Sequence, residues 1–290
     1  MKPLVVEVSR GEVVEARHTV HAVVLRDGRV ELAVGDAGLE TYLRSSAKPI
    51  QALPVVRARP DLDDEQVALC CASHRATDEQ LAVVRRILAD APATEEELEC
   101  GGEPTPIEHN CSGKHAGFLA LCRAEGWPSE GYRRLGHPCQ QAVLREVASL
   151  AEVEPASLPI GVDGCGVPTF ALTLERAALA FGRLRECEGG DRVIRAMRAH
   201  PRLLLGPVSA DARLIEVLPG WIAKGGAEGL FCASSDDGLA LALKIEDGAF
   251  RPIASAVCHV LGLLGIDAGA VTDGVVRSSH GENVGVVRVV

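Results

Sequence analysis

HTVHAVVLR (residues 18–26), Asp27-Gly28 and RVELAV (29–34) decide the fold. Apolar and polar residues alternate on both sides of an Asp-Gly pair, the pattern of two antiparallel strands joined by a tight turn. The first 36 residues read as strands. A second hairpin follows far downstream, where EGLFCASS (228–235) and LALALKIE (239–246) flank Asp236-Asp237-Gly238. VGVVRVV (284–290) reads as a last strand able to pair with the N-terminal sheet. Between these ends the periodicity is helical. Apolar positions Ile50, Leu53 and Val56 follow RSSAKP, with Pro49 tolerable in a first turn. Asp63 to Ala72 predicts a helix that ends at Ser73-His74, and Thr77-x-x-Gln80 forms a capping box opening LAVVRRILADA. Further helices are expected over 115–125, 138–151, 172–187 and 191–199. Strands at both termini around a helical middle predict an α+β fold, a mainly antiparallel sheet closed by the chain ends. With no linker, low-complexity run or repeat, residues 1–290 read as one catalytic unit.

Composition narrows the function. Lys and Arg total 30, and only Lys2, Lys48, Lys114, Lys224 and Lys244 are lysine. Arginine stays protonated, whereas lysine can be tuned to lose its proton, so a lysine kept against this bias invites a chemical role. Four of the five stand in compact runs: SSAK (45–48), CSGK (111–114), AKGG (223–226) and KIEDG (244–248). The net charge of −10, without a basic cluster interleaved with aromatics, argues against nucleic acid as a partner. The N-terminal apolar run is too short for a signal peptide, and no stretch approaches a membrane span, so a cytoplasmic protein is expected. The ten cysteines then read as thiols. Cys70, Cys71, Cys122, Cys139, Cys187 and Cys258 sit in helix-like apolar patterns and read as packing. Cys111 and Cys165 lie in polar, Gly-rich turns, HNCSGKH and VDGCGVP, and read as site-building residues.

Each candidate has a plainer competitor. Ser45 and Lys48 are three apart, one turn on a helix, and a desolvated lysine can take the proton of a serine; the same spacing also describes a helix N-cap followed by a solvated lysine. Ser73-His74 is either a helix terminus or a second serine site served by Lys244 at a strand end, and Lys244 itself reads equally as an edge-strand charge. Cys111 and Lys114 open a helix and could join Cys165, beside Asp163, around zinc. A phosphate loop is rejected because GxxxxGK[ST] is absent.

Taken together and in order, VEVSRGEVVEARH, RSSAKPIQALP, CASH, HNCSGKHAGFLALC, GVDGCGVPTFAL, KGGAEGLFCAS and LALKIEDGA resemble the rhizobial-type, inducible L-asparaginase family. The resemblance implies a fold similar to serine β-lactamases and Ser-Lys glutaminases. It implies hydrolysis of L-asparagine to L-aspartate and ammonia by a homodimer, through two Ser-Lys pairs. Those pairs fall on Ser45 with Lys48 and on Ser73 with Lys244, Lys224 being the fallback. It also implies a zinc site of Cys111, Lys114 and Cys165 that positions substrate without supplying the chemistry. Asp163, Arg44 and His115 complete the expected substrate-binding set. One departure marks the rim: Ser73-His74 is followed by Arg75-Ala76-Thr77, where the family often has Gly or an acidic residue. The rival readings are a zinc-dependent hydrolase or deaminase, a non-catalytic relative that binds an amino acid or peptide, and the same chemistry on glutamine or a β-aspartyl amide.

Overall fold

The computed structural model describes residues 1–102 and 104–290. Its strands are β1 (Leu4–Arg10), β2 (Val13–Arg26), β3 (Arg29–Val34), β4 (Glu40–Tyr42), β5 (Ile160–Val162), β6 (Pro168–Thr173), β7 (Trp221–Gly226), β8 (Leu230–Ser235), β9 (Leu239–Ile245), β10 (Val275–Arg277) and β11 (Asn283–Val289). Its helices are α1 (Lys48–Gln51), α2 (Leu53–Ala58), α3 (Asp64–Cys70), α4 (Asp78–Asp90), α5 (Ser112–Glu125), α6 (Pro138–Ala151), α7 (Leu174–Gly182), α8 (Gly190–Ala199), α9 (Pro201–Leu204), α10 (Ala210–Val217) and α11 (Ile253–Gly262).

The main sheet is antiparallel, ordered β10-β11-β1-β2-β9-β8-β7, with β3 also paired to β2. The opening hairpin forms where its sequence places it. Asp27 and Gly28 have φ of 48° and 77°, the left-handed pair that a two-residue hairpin turn requires. The last strand returns beside the first, Val6 opposite Val289 and Val8 opposite Val287. Every residue of β8 and β9 is buried, so these central strands are covered on both faces. Helix α7 packs on β2, β8 and β9, and α11 on β1, β9 and β11. A second, three-stranded sheet has the order β4-β6-β5. The expected α+β class, an antiparallel sheet with helices around it, is what the chain adopts. Among the described residues no helix is long and apolar enough to cross a membrane.

Local signals explain the helix boundaries. Asp63 with Gln66 and Thr77 with Gln80 each form both bonds of a capping box, at the heads of α3 and α4. The helix expected over 172–187 is shorter and begins later. β6 runs to Thr173 and pairs with β4 and β5, and the Thr173 side chain then caps α7. Thr serves both as a strand end and as an N-cap, so the apolar pattern alone does not separate the two.

Two glycines bring the site elements together. A Cβ at Gly113 would lie 2.5 Å from the Leu69 carbonyl oxygen, so α5 approaches α3 as only glycine allows. A Cβ at Gly226 would lie 2.8 Å from both Leu43 O and Ser46 Oγ, which presses β7 against the turn carrying Ser45.

Candidate active site

Residues 44–47 form one 3-10 turn leading into α1. Arg44 begins it with φ of 48°, its N–H donating to Thr169 Oγ1 at 3.1 Å and its Nε to Asp163 Oδ1 at 2.7 Å. The next residue, Ser45, is half-buried and faces a pocket of about 410 Å³. Ser73, Asn110, Asp211, Lys224 and Gly225 line the same pocket. That volume falls at the small end of the roughly 300–1,000 Å³ typical of small-molecule sites. Ser73 follows α3, its N–H fixed by Leu204 O at 2.7 Å, and His74 bonds Asn110 O through its backbone at 3.0 Å and Ser112 Oγ through Nε2 at 2.8 Å.

Lys48 is 0 % exposed. Its ammonium donates to the Ala72 carbonyl and to Ser73 Oγ, the latter at 3.0 Å. Burial pushes its pKa below the ordinary lysine value against the raising effect of Cys111, and the Lys114 and Lys224 cations push it down further. Lys224, on β7, is equally buried and pairs with Asp211 Oδ2 at 3.0 Å. Asp211 also accepts from Gly225 N–H at 2.9 Å, which ties α10 to β7 at the pocket wall.

Behind Lys48 lies the thiol cluster. Lys114 Nζ donates to Cys165 Sγ at 3.1 Å. The Cys111 thiol is held well below its usual value by the hydrogen bond from Cys165, against burial, with the Lys48 and Lys114 charges assisting. Cys165 is pushed up by donating that bond and by burial. Burial works against the Lys114 ammonium, yet the two thiols, Cys165 first, outweigh it and raise its pKa.

His74 carries a pH prediction. Burial lowers its pKa to about 4 from 6.5, with Lys48 adding to the effect. A neutral folded histidine contributes stability above the unfolded value, and that stability is lost as pH falls from 6.5 toward 4. The loss expected is on the order of 3 kcal/mol. Urea midpoints at pH 7 and pH 4.5 check it, with His74→Gln flattening the difference.

Residues 6–289 match the family model of L-asparaginase II. The chain belongs to the L-asparaginase II family. That membership gives the enzyme class expected from the sequence, an amidohydrolase of the asparaginase type. Among solved structures it is similar to Mglu in its native form, with a TM-score of 0.51 and 12% identity over 86% of this chain. The chain spans 65% of that structure's length, and the likeness is one of fold. It also matches a probable glutaminase from Bacillus subtilis complexed with 6-diazo-5-oxo-L-norleucine, with a TM-score of 0.34 and 14% identity over 79% of this chain and 76% of the other. No curated protein matches.

These findings correct several expectations. The matching family is L-asparaginase II and the structural likeness is to Mglu, so the rhizobial-type assignment with a serine β-lactamase fold is replaced. The Ser45–Lys48 dyad and the acyl-enzyme route built on it are withdrawn, because the Lys48 ammonium is bonded to Ala72 O and Ser73 Oγ and has no bond to Ser45. The zinc site is withdrawn too. Among the described residues no group of three or more His, Cys, Asp or Glu is placed to hold a metal ion. Cys111, Lys114 and Cys165 do come together, with Lys114 Nζ donating to Cys165 Sγ at 3.1 Å.

The remaining expected residues divide. Lys244 lies away from the serines: it stands opposite His21 and Leu230 in the sheet, and its ammonium turns to the carbonyls of Ile245 and Glu246. Lys224 is the lysine that lines the pocket. Asp163 and Arg44 hold each other at 2.7 Å, and neither lines the pocket. His115 is fully buried, bonded through Nδ1 to Tyr132 Oη at 2.7 Å and packed on Phe118 and Tyr132, and so serves the core. Asp211 was not anticipated. Its signal was a carboxylate three and four residues before Leu214 and Ile215, on the apolar face of α10.

Proposed function

We propose that this chain hydrolyses the side-chain carboxamide of an amino acid of the asparagine or glutamine type, adding water and releasing the carboxylate and ammonia. The observation that carries the reading is the pocket that Ser45 and Ser73 both line beside the buried Lys224–Asp211 pair. Family membership supplies the bond class. In this reading Ser45 and Ser73 contact the amide, Lys48 sets the position of Ser73 Oγ, and the Lys224–Asp211 pair stiffens the wall behind them. L-Asparagine is the first substrate to try, with L-glutamine beside it, because 410 Å³ leaves room for the longer side chain. Residues 1–290 act as one catalytic unit. The ten cysteines are free thiols, which supports a reducing compartment such as the cytoplasm. A homodimer, expected from the resemblance, belongs to this proposal, and the particle mass in solution checks it. The test of function follows L-asparagine and L-glutamine by NMR with purified protein. Stoichiometric appearance of aspartate or glutamate with ammonia is expected, and unchanged spectra of both amides would count against the reading.

A further inference from the structure

We propose that Arg75 binds the carboxylate of the amide substrate and thereby sets which amides the pocket accepts. The inference rests on the amide-hydrolase reading of this pocket and deepens it.

The charges in the pocket wall carry the argument. Arg75, Lys224 and Asp211 are the charged residues that line it. Lys224 and Asp211 cancel each other at 3.0 Å, with side chains 1% and 3% exposed. Arg75 has no ion pair with any described residue, so among the described residues the pocket keeps one uncompensated positive charge. Arg44, the expected substrate-binding arginine, is not among the lining residues and is occupied by Asp163 at 2.7 Å and Glu228 at 3.9 Å. An uncompensated guanidinium at a pocket rim suits a carboxylate, which its planar fork can meet with two parallel N–H bonds. Every substrate of the asparagine or glutamine type carries one on its α-carbon.

The turn that holds Arg75 is built. Its backbone N–H donates to Gln80 Oε1 at 2.9 Å, and Gln80 is anchored in turn through Nε2 to Leu203 O at 3.2 Å. Ala76 follows with φ of 54°, a conformation an alanine holds only where its surroundings impose it, here with its N–H on His74 Nδ1 at 3.1 Å. The Arg75 stem runs beside Gly206, where a Cβ would lie 3.8 Å from its Cδ and Nε. Phe250, Leu205 and Ile253 supply an apolar side to the same pocket, which weakens the competition of water for the guanidinium. One residue, His74, separates Arg75 from Ser73, so a carboxylate held at the rim leaves the side-chain amide to reach inward to the serines.

The experiment uses the full chain with Arg75→Ala and Arg75→Lys. Each protein is assayed on L-asparagine and on β-alaninamide, which is asparagine without its carboxylate. L-Glutamine and 4-aminobutanamide form the matching longer pair. Binding of L-aspartate is measured by calorimetry alongside. In Arg75→Ala, KM for the amino acid is expected to rise about 10- to 100-fold, the range of a charge-assisted hydrogen bond. The same variant should handle the decarboxylated amide as the wild type does, and Arg75→Lys should fall between. Equal losses on both members of a pair, or no change on either, overturn the role of Arg75 and leave the hydrolase reading standing. Aspartate binding that needs Arg75, in protein that turns over no amide, upholds Arg75 and overturns the hydrolase reading. Neither turnover nor aspartate binding in folded wild type overturns both.

Discussion

Ser73→Ala is expected to lower kcat/KM for amide hydrolysis on the order of 10²- to 10³-fold, the range for removing one hydrogen-bonding group that contacts the reacting amide. Ser73 Oγ receives the Lys48 ammonium at 3.0 Å while standing at the pocket wall. Removing it takes away the hydroxyl that Lys48 holds in place at the pocket wall for contact with the amide. Ser45→Ala should produce a loss of the same order, since its hydroxyl faces the pocket without a hydrogen bond to Lys48 and is free for the amide. Neither change opens a cavity, so both variants should unfold close to the wild-type temperature. Steady-state kinetics beside a thermal melt separate the chemical effect from a folding one. Wild-type turnover in both variants would remove these serines from the site.

The second large effect is on stability. Asp211→Ala is expected to destabilise the fold by about 3–5 kcal/mol, because it strands the Lys224 ammonium in a dry wall. The two side chains are 1% and 3% exposed and lie 3.0 Å apart, so solvent screens them little. Against a typical total of about 5–15 kcal/mol that is a large fraction. Lys224→Met alone should cost a comparable amount by stranding the carboxylate. The double variant Lys224→Met with Asp211→Leu should recover much of the loss, since a hydrophobic replacement of a buried pair is often neutral. Denaturant midpoints of the four proteins form the cycle that isolates the pair. Additive losses would show that the two charges do not support each other.

Much of the fold was legible because local chemistry and global pairing agree. Asp27-Gly28 can supply two left-handed residues at a hairpin, Thr77 and Gln80 can close a capping box, and the alternation of 284–290 suits an edge beside β1. The late start of α7 was not legible, since Thr173 suits a strand end and a cap equally. The site was legible in its parts and not in its pairings. Spacing put Ser45 and Lys48 on one turn, but a four-carbon stem chooses its acceptors from the fold, and Lys48 reaches across to Ala72 and Ser73. Lys224 and Lys244 are both buried strand lysines in the fold, on β7 and β9. Only the close approach of Gly226 to the turn at Leu43 and Ser46 brings Lys224 to the pocket, while Lys244 stays in the sheet opposite His21. The departure at Arg75 was visible, though its lack of a partner could be seen only in space. The zinc reading was legible only as a meeting of two thiols and a lysine, and among the described residues no third His, Cys, Asp or Glu joins the two thiols to hold a metal ion.

The most direct test of the account is ammonia release from L-asparagine and L-glutamine by the wild type, Ser45→Ala and Ser73→Ala, each shown to be folded by circular dichroism. Release from at least one amide by the wild type, lost in both variants, is the predicted result. No release by folded wild-type protein, or equal release by all three, contradicts it.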